Sequence, residues 1–288
     1  IIIGDTKQDI SVGSNAFIVK FAADGAFQWY KKFGASSIIN EGFSVENAWD
    51  GGYLLCCLYD STGINQLRLI KTNDSGNYEW SVIYGTIPEN INDWPCIIRT
   101  SDNKYAIAAE SQFDYFLMKI AQDGSVIWYQ TYGYINTPQT PSWVDETSDG
   151  GFVITGKHTP DGETEPQIYL VKTNSTGDVE WSKLIDVHYN DCGFRIRHTS
   201  DDGYILFGYT RTDPDELDFL MMMKLGGANS VTDPEGNNIF LSQNFPNPFD
   251  QGTLIQYFLP VNQQVSLKVY NIHGSEVAVL IDQEQAAG

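Results

Sequence analysis

Basic residues are scarce in this sequence. Seventeen Lys and Arg stand against 37 Asp and Glu, which gives a formal net charge of -20 at pH 7. A surface of this sign repels phosphate backbones, so no nucleic-acid partner is predicted. Long apolar runs are also missing. None approaches the roughly 20 residues that cross a bilayer as a helix, so the chain is not predicted to be an integral membrane protein.

Residues for covalent or metal chemistry are few. Four cysteines do not make a disulfide scaffold, and the adjacent Cys56 and Cys57 point to opposite faces of an apolar strand. The four histidines show no HxH or HExxH spacing, and the chain has neither a GxSxG motif nor a glycine-rich phosphate loop. No catalytic residue, metal ligand or cofactor is therefore predicted. Calcium is the one ion that the acidic composition suits, although no carboxylate run has the spacing of a calcium loop.

Two markers recur along the chain with a period of about 50 residues. A lysine closes an apolar run at five places, and a tryptophan follows four of these lysines. The lysines are Lys20, Lys71, Lys119, Lys172 and Lys224, and the tryptophans are Trp29, Trp80, Trp128 and Trp181. Two independent markers with one period indicate an array of a single supersecondary unit.

Each unit contains four short β-branched and aromatic runs separated by turn residues. In the second unit the runs predict strands a to d at 43–48, 53–59, 67–72 and 78–84, with the turn Asp50-Gly51-Gly52 between a and b. Residues 1–225 hold 18 such strands in five units, the first without strand a and the last without strand d. Repeated antiparallel meanders are typical of β-propeller blades, so an all-β propeller is predicted. Its incomplete edges at Ile1 and Leu225 suggest a fragment of a larger ring.

The repeat resembles a family of secreted bacterial propellers whose blades carry blocks like DGGYIIxGxT, xDxYLVKxDxxG and WxxxxGG. The first block is matched at Asp50-Gly51-Gly52-Tyr53, Asp149-Gly150-Gly151-Phe152 and Asp202-Gly203-Tyr204. The third unit departs from it, because Asp102-Asn103-Lys104-Tyr105 lacks both glycines. The resemblance speaks to fold much more than to activity.

A second pattern begins after an aperiodic linker at 226–238. Residues 239–288 contain Asn244-Phe245-Pro246-Asn247-Pro248-Phe249, followed by blocks of the form TxIxYxLP and VxLxVYNxxGxxV. This order resembles the type A C-terminal sorting domain of the type IX secretion system, an Ig-like β-sandwich that is only partly present here. The resemblance implies the secretion machinery as a partner and an extracellular or outer-surface location.

The repeated Lys and Trp each have two interpretations. The lysines could form a ring of charges at one end of the propeller axis, or they could lie at strand ends, where they face solvent or pair with Asp and Glu of the next hairpin, which we favour. The Gly-x-x-x-Trp turns resemble the Asp-box of sialidase-type propellers with one extra residue. A turn glycine and a core tryptophan that locks adjacent blades is the preferred interpretation.

Five aromatic residues near strand a or in the d–a connections are candidates for ligand binding. They are Trp49, Trp94, Trp143, Tyr134 and Tyr189. An aromatic platform with acidic neighbours would suit stacking on sugar rings, whereas core packing is the alternative use.

Three functional hypotheses follow. The first is a non-enzymatic binding module for a glycan or a surface protein, because regular repeats leave no singular catalytic constellation. The second is a secreted hydrolase such as a glycosidase, which would need two carboxylates roughly 5–10 Å apart near the axis. The third is a structural scaffold without a ligand of its own.

Overall fold

A computed structural model describes residues 1–9, 12–34, 38–61, 63–85, 91, 94–133, 137–211, 213, 218–226, 240–241, 255, 257–259, 261–270 and 276–286. All regular structure in these ranges is β-strand. The chain divides into two compact units, Ile1–Asn229 and Ser230–Gly288. No helix long and apolar enough to cross a membrane occurs in the described ranges.

The first unit consists of five antiparallel sheets, each formed by strands that follow one another in the chain. The first contains β1 (Ile2–Asp9), β2 (Val12–Phe21) and β3 (Phe27–Phe33). The second contains β4 (Ile39–Asn47), β5 (Tyr53–Asp60), β6 (Gln66–Thr72) and β7 (Tyr78–Tyr84). The third contains β8 (Cys96–Thr100), β9 (Lys104–Ser111), β10 (Asp114–Ile120) and β11 (Val126–Tyr132). The fourth contains β12 (Gln139–Glu146), β13 (Phe152–His158), β14 (Gln167–Thr173) and β15 (Val179–Ile185), and the fifth contains β16 (Asn190–His198), β17 (Tyr204–Arg211) and β18 (Phe219–Leu225).

These sheets are the blades of a β-propeller, as the repeat predicts. Within the described residues the five blades have three, four, four, four and three strands, and the first shows no strand a and the fifth no strand d. Strand a of the second blade begins at Ile39, four residues earlier than expected. A bulge between Gly42 and Ser44 shifts the register there and lets the polar start of the strand pair with β5.

Side-chain alternation along strand c gives each blade two apolar faces. We call the face that packs on the following blade the forward face, and the one that packs on the preceding blade the rear face. Leu67 and Leu69 on the forward face of the second blade pack with Phe116 and Met118 on the rear face of the third. All four are at most 1% exposed. Full burial of such a side chain contributes about 1.5–3 kcal/mol, so these faces hold the blades together.

A glycine in the turn between strands c and d receives the tryptophan of the preceding blade. Built on Gly76, Gly124 or Gly177, a Cβ would lie 2.7–3.2 Å from the ring of Trp29, Trp80 or Trp128 respectively. Two tyrosines at the ends of strands d add to this contact, because the Tyr84 hydroxyl donates to the Gly124 carbonyl at 2.6 Å and that of Tyr132 to the Gly177 carbonyl at 2.8 Å. The preferred interpretation of the Gly-Trp motif, a lock between blades, is therefore confirmed.

In the second and fourth blades the repeated lysine is buried and ion-paired. Lys172 Nζ lies 2.8 Å from Asp149 and 2.7 Å from Glu180, while only 5% of its side chain is exposed. Lys71 repeats the arrangement with Asp50 at 3.1 Å and Glu79 at 2.7 Å. Pairing with carboxylates, one form of the favoured interpretation, is what four of the five lysines show, and each aspartate partner belongs to the lysine's own blade. Lys20 instead lies over the Tyr53 ring, 5.6 Å from its centroid.

In the fifth blade the ion pair identifies Asp201, and not Asp202, as the residue equivalent to Asp50 and Asp149. Lys224 pairs with Asp201, at 2.7 Å, and Asp202 occupies the left-handed position of the turn with a φ of 58°. In the third blade Asp102 pairs with Lys119 at 2.9 Å, and Asn103 takes the left-handed position with a φ of 60°. Asn and Asp tolerate this conformation better than other residues with a side chain, which explains why two turns dispense with a glycine there.

We expect Lys172→Met to lower the unfolding free energy at pH 7 by about 1–2 kcal/mol, less than for a fully buried pair, because both carboxylates remain half exposed. Desolvation alone would raise the pKa of Asp149, but hydrogen bonds from Lys172, Thr147 and Gly151 hold that pKa well below its usual value. The stabilisation is therefore complete above the unfolded pKa of about 3.9 and is lost as pH falls through the lower folded value.

Urea unfolding between pH 7 and pH 2 tests this expectation. The variant should show a flatter acid dependence than the wild type, because its Asp149 no longer has the lysine that lowers the pKa. Lys32→Met, on an exposed lysine of β3, is the matched control and should leave both the stability and its pH dependence unchanged. Equal acid profiles for Lys172→Met and the wild type would contradict the role of the ion pair.

The second unit contains four described strands. β19 (Phe240–Leu241) pairs with β20 (Tyr257–Phe258), and β21 (Gln263–Tyr270) pairs with β22 (Glu276–Gln285), both antiparallel. The sorting-domain motif Asn244-Phe245-Pro246-Asn247-Pro248-Phe249 lies outside the described residues. Its assignment stays a prediction from the sequence.

Candidate functional site

The a strands of four successive blades line a cavity of about 540 Å³. In these four sheets strand a is an edge strand, with a hydrogen-bonded neighbour, strand b, on one side only. Its other edge is free to face a common space. The charged side chains that line this space are Glu46, Arg99, Asp145, Glu146, Arg195 and Arg197. We call it the axial cavity.

Most of these charges are engaged within the chain. Arg197 Nη1 donates to Asp145 Oδ1 at 2.8 Å, and the His198 amide donates to Asp145 Oδ2 at 2.8 Å. Arg99 Nε lies 3.5 Å from Glu46 Oε1. The amide and hydroxyl of Ser101 donate to Glu146 at 2.7 and 3.1 Å. Both carboxyl oxygens of Asp145 and of Glu146 thus accept hydrogen bonds from their own chain.

Arg195 differs from the other cavity charges. Its guanidinium stacks over the ring of Trp143, 3.6 Å from the ring centroid. It is exposed and makes no ion pair with a carboxylate in the described ranges. Desolvation, with help from the nearby charge of Arg197, lowers the pKa of Arg195. A guanidinium that lies over an indole ring keeps N–H donors for a carboxylate or a sulfate, which are the anions that arginine binds best.

Trp143 supplies a second donor at the same place. Its Nε1 is buried and has no hydrogen-bond partner in the described part of the chain. The ring also packs against the apolar clusters on both sides of the fourth blade, so its position is fixed by the core. Trp143 thus packs in the core and also lines the axial cavity, while its use in ligand binding stays a prediction.

The other four aromatic candidates have different places. Trp49 lies beside the cavity, because Arg99 stacks on its ring at 4.8 Å and its Nε1 donates to the Lys104 carbonyl at 3.1 Å. Trp94 does not line the cavity; it is 66% exposed and packs edge-on against Phe43. Tyr189 interacts with Glu165, which raises its pKa by a side-chain hydrogen bond. Tyr134 lies outside the described residues.

Three arginines of the site were not predicted. The chain has only five arginines, and Arg99, Arg195 and Arg197 all line the axial cavity. A usable signal was present, because each interrupts an otherwise apolar or aromatic strand a, in Cys96-Ile97-Ile98-Arg99 and Phe194-Arg195-Ile196-Arg197. An arginine on an inner strand of a strongly acidic chain is an exception to the repeat, and such exceptions point to sites.

No group of three or more His, Cys, Asp and Glu side chains arranged to hold a metal ion occurs in the ranges that the structure describes. All four cysteines are buried and free, and burial raises the pKa of Cys57 to about 12 and that of Cys96 to about 11. These thiols are protonated at neutral pH and poorly suited to nucleophilic chemistry.

Comparison with known proteins finds no matching family model and no matching curated protein. Several solved structures are similar to this chain, and two of them are described here. A protein of unknown function from Bacteroides caccae is 13% identical, with a TM-score of 0.46 over 71% of this chain and 67% of that chain. The endo-arabinase from Bacteroides thetaiotaomicron VPI-5482 is 7% identical, with a TM-score of 0.41 over 78% of this chain and 89% of that chain. Similarity at this level says nothing about the ligand or chemistry of this chain.

Proposed function

We propose that this protein is a non-enzymatic binding module whose axial cavity takes an acidic glycan. The observation that carries the proposal is the exposed Arg195 guanidinium, stacked 3.6 Å over Trp143 and without a carboxylate partner in the described ranges. A carboxylate or sulfate on a sugar would supply that partner, and neighbouring aromatic rings suit sugar faces. The net charge of -20 repels anions from most of the surface. An acidic glycan is therefore expected to bind only at the exposed Arg195.

The location proposed for this module is the extracellular space or the outer cell surface, with export by the type IX secretion machinery. The support is the resemblance of residues 239–288 to a type A sorting domain. Extracellular glycans carry uronic acid and sulfate groups, which fits a cavity with an arginine edge. A surface protein that presents a carboxylate remains the alternative ligand.

Two substitutions in the cavity test the binding site. Against oligogalacturonate, Arg195→Met and Trp143→Ala should each weaken binding by about tenfold or more, which corresponds to about 1.4 kcal/mol. Methyl-esterified oligogalacturonate, which lacks the charge, should bind the wild type correspondingly less well. Trp94→Ala removes an exposed tryptophan outside the cavity and should leave the affinity unchanged. Isothermal titration calorimetry measures all four. Unchanged affinity in Arg195→Met, or no glycan binding by the wild type across a glycan array, would refute the proposal.

The second candidate function is glycoside hydrolysis, because Glu46, Asp145 and Glu146 share the cavity. A glycosidase requires a carboxyl group that reaches the glycosidic oxygen and another that serves as base or nucleophile. The hydrogen bonds that Asp145 and Glu146 accept from their own chain compete with this role. Release of reducing ends from oligogalacturonate by the wild type, abolished in Asp145→Asn, would favour the hydrolase.

A further inference from the structure

A second cavity, of about 310 Å³, lies at the opposite end of the second blade. Its lining consists of Gly34, Ile38, Asn40, Tyr59, Arg68 and Ile83. Asn40 is paired with Tyr59 near the start of strand a, whereas Glu46 and Asn47 near its other end adjoin the turn to strand b. We call this second cavity the rim cavity. It is separate from the axial cavity, with which it shares no lining residue.

Arg68 is an exception to the repeat. The residue three positions before the repeated lysine lies on the rear face of each blade and is apolar or aromatic in the other four. These residues are Phe17, Phe116, Tyr169 and Met221. In the second blade alone an arginine takes this place, inside the contact with the first blade. A charge at a position built for packing costs desolvation, so a compensating interaction is expected there.

The chain itself provides only part of that compensation. Arg68 Nη1 donates to Asn40 Oδ1 at 2.6 Å, and Nη2 donates to Ser81 Oγ at 3.3 Å. The guanidinium also lies 5.5 Å from the centroid of the Tyr59 ring. Its Nε is buried without a hydrogen-bond partner, and it makes no ion pair with a carboxylate of the described chain.

Asn40 adds a second unused donor to the same cavity. The residue is 1% exposed, and its Nδ2 has no hydrogen-bond partner in the described residues. Its orientation is fixed, because Oδ1 accepts from Arg68 and a flipped amide would place two donors together. Two buried N–H donors that lack an acceptor among the described residues thus belong to residues of one cavity, whose described lining holds a positive charge and no carboxylate. Buried donors in proteins are nearly always satisfied, so an acceptor from beyond the described residues is expected, and a bound ligand would supply it.

We propose that the rim cavity binds a small organic carboxylate, with its anionic end on Arg68 and Asn40 and its apolar part against Ile38, Ile83 and Tyr59. The carboxylate is the acceptor that neutralises the arginine and takes both unused N–H donors. The isoleucines and the tyrosine ring add no binding energy for an inorganic anion, whereas burial of a short alkyl group against them is favourable. A cavity of 310 Å³ has the volume of roughly ten waters in the liquid, which limits the occupant to a small molecule.

Isothermal titration of the full chain with 3-methylbutyrate tests this inference. The wild type should bind it, and should bind the neutral isostere 3-methylbutanamide at least about tenfold more weakly. Inorganic phosphate should also bind at least about tenfold more weakly, since it makes no use of the apolar walls. Failure of 3-methylbutyrate to bind would show that the two donors are satisfied by water alone. Equal binding of the amide or of phosphate would equally overturn the proposal.

Two variants assign the binding to this cavity. Arg68→Met should reduce affinity for 3-methylbutyrate at least about tenfold. Ile83→Glu should do the same, because Ile83 is the cross-strand partner of Arg68 and a carboxylate at this exposed position would compete with the ligand for the guanidinium. Arg211→Met removes an equal charge from an exposed ion pair with Asp218 elsewhere and should bind like the wild type. Wild-type affinity in a folded Ile83→Glu variant would overturn the assignment, whatever the behaviour of Arg68→Met.

Discussion

Phe152→Ala is expected to lower the unfolding free energy by about 3–5 kcal/mol, the range for loss of a large aromatic side chain from a closed core. Phe152 is fully buried, and its ring meets the edge of Trp128 at 5.9 Å between centroids. Lys119 Nζ also lies 5.6 Å from the ring centroid. Because Trp128 and Lys119 belong to the third blade and Phe152 to the fourth, the cavity left by alanine opens within an interface between blades.

Guanidinium chloride unfolding, followed by tryptophan fluorescence, measures this effect. We expect the transition midpoint to fall while its slope stays the same, since the surface exposed on unfolding hardly changes. Phe27→Ala is the matched control, because Phe27 is 62% exposed and should lose less than about 1 kcal/mol. A loss of similar size for both variants would show that the contact between the third and fourth blades is not a main source of stability.

Gly177→Ala should cost about 2–4 kcal/mol, whereas Gly25→Ala should cost only about 1 kcal/mol. Both glycines occupy the same turn position, with φ of 87° for Gly177 and 85° for Gly25. Both variants therefore bear the cost of an alanine in the left-handed backbone conformation. Of the two, only Gly177 packs against side chains of the preceding blade. A Cβ there would lie 2.8 Å from Trp128 and 3.0 Å from Gln130, while one on Gly25 would meet nothing within 4 Å.

A double-mutant cycle separates the two costs. In a Trp128→Ala background the ring that collides with the new methyl group is gone and only the contact with Gln130 remains, so Gly177→Ala should cost clearly less than in the wild type. Chemical denaturation of the four proteins gives the coupling energy. Additive effects of Trp128→Ala and Gly177→Ala would mean that the tryptophan does not rest on the turn glycine.

The blade architecture could be predicted from the sequence because it depends on local signals that repeat. Alternating apolar residues set both faces of each strand c, and the turn glycines and lysines mark the hairpins at a fixed period. The aspartate register of the fifth blade was misjudged by one residue, since Asp201-Asp202-Gly203 contains two aspartates and only the partner of Lys224 distinguishes them. That distinction is a contact in space, which no local pattern reports.

The sites were less predictable, because they depend on which strands meet. Trp143 and Trp49 were named from their place near strand a, and both lie at or beside the axial cavity. Arg195 was overlooked because its stacking on Trp143 joins residues from different blades. Arg68 could have been found by aligning the five strands c, where it is the single charged residue at its position. Its unused donor, in contrast, is visible only once the neighbouring hydrogen bonds are known.

The lock between blades has an implication for how such chains grow. It uses one aromatic ring, one tyrosine hydroxyl and the backbone of a glycine turn, as in Trp128, Tyr132 and Gly177. None of these depends on the other turn side chains, which differ freely from blade to blade. A duplicated segment of one period would therefore bring both halves of a compatible joint with it. Gene duplication can lengthen the array without new adaptation at the contacts between blades, while strands a, which lie outside this lock, remain free to acquire individual residues for binding.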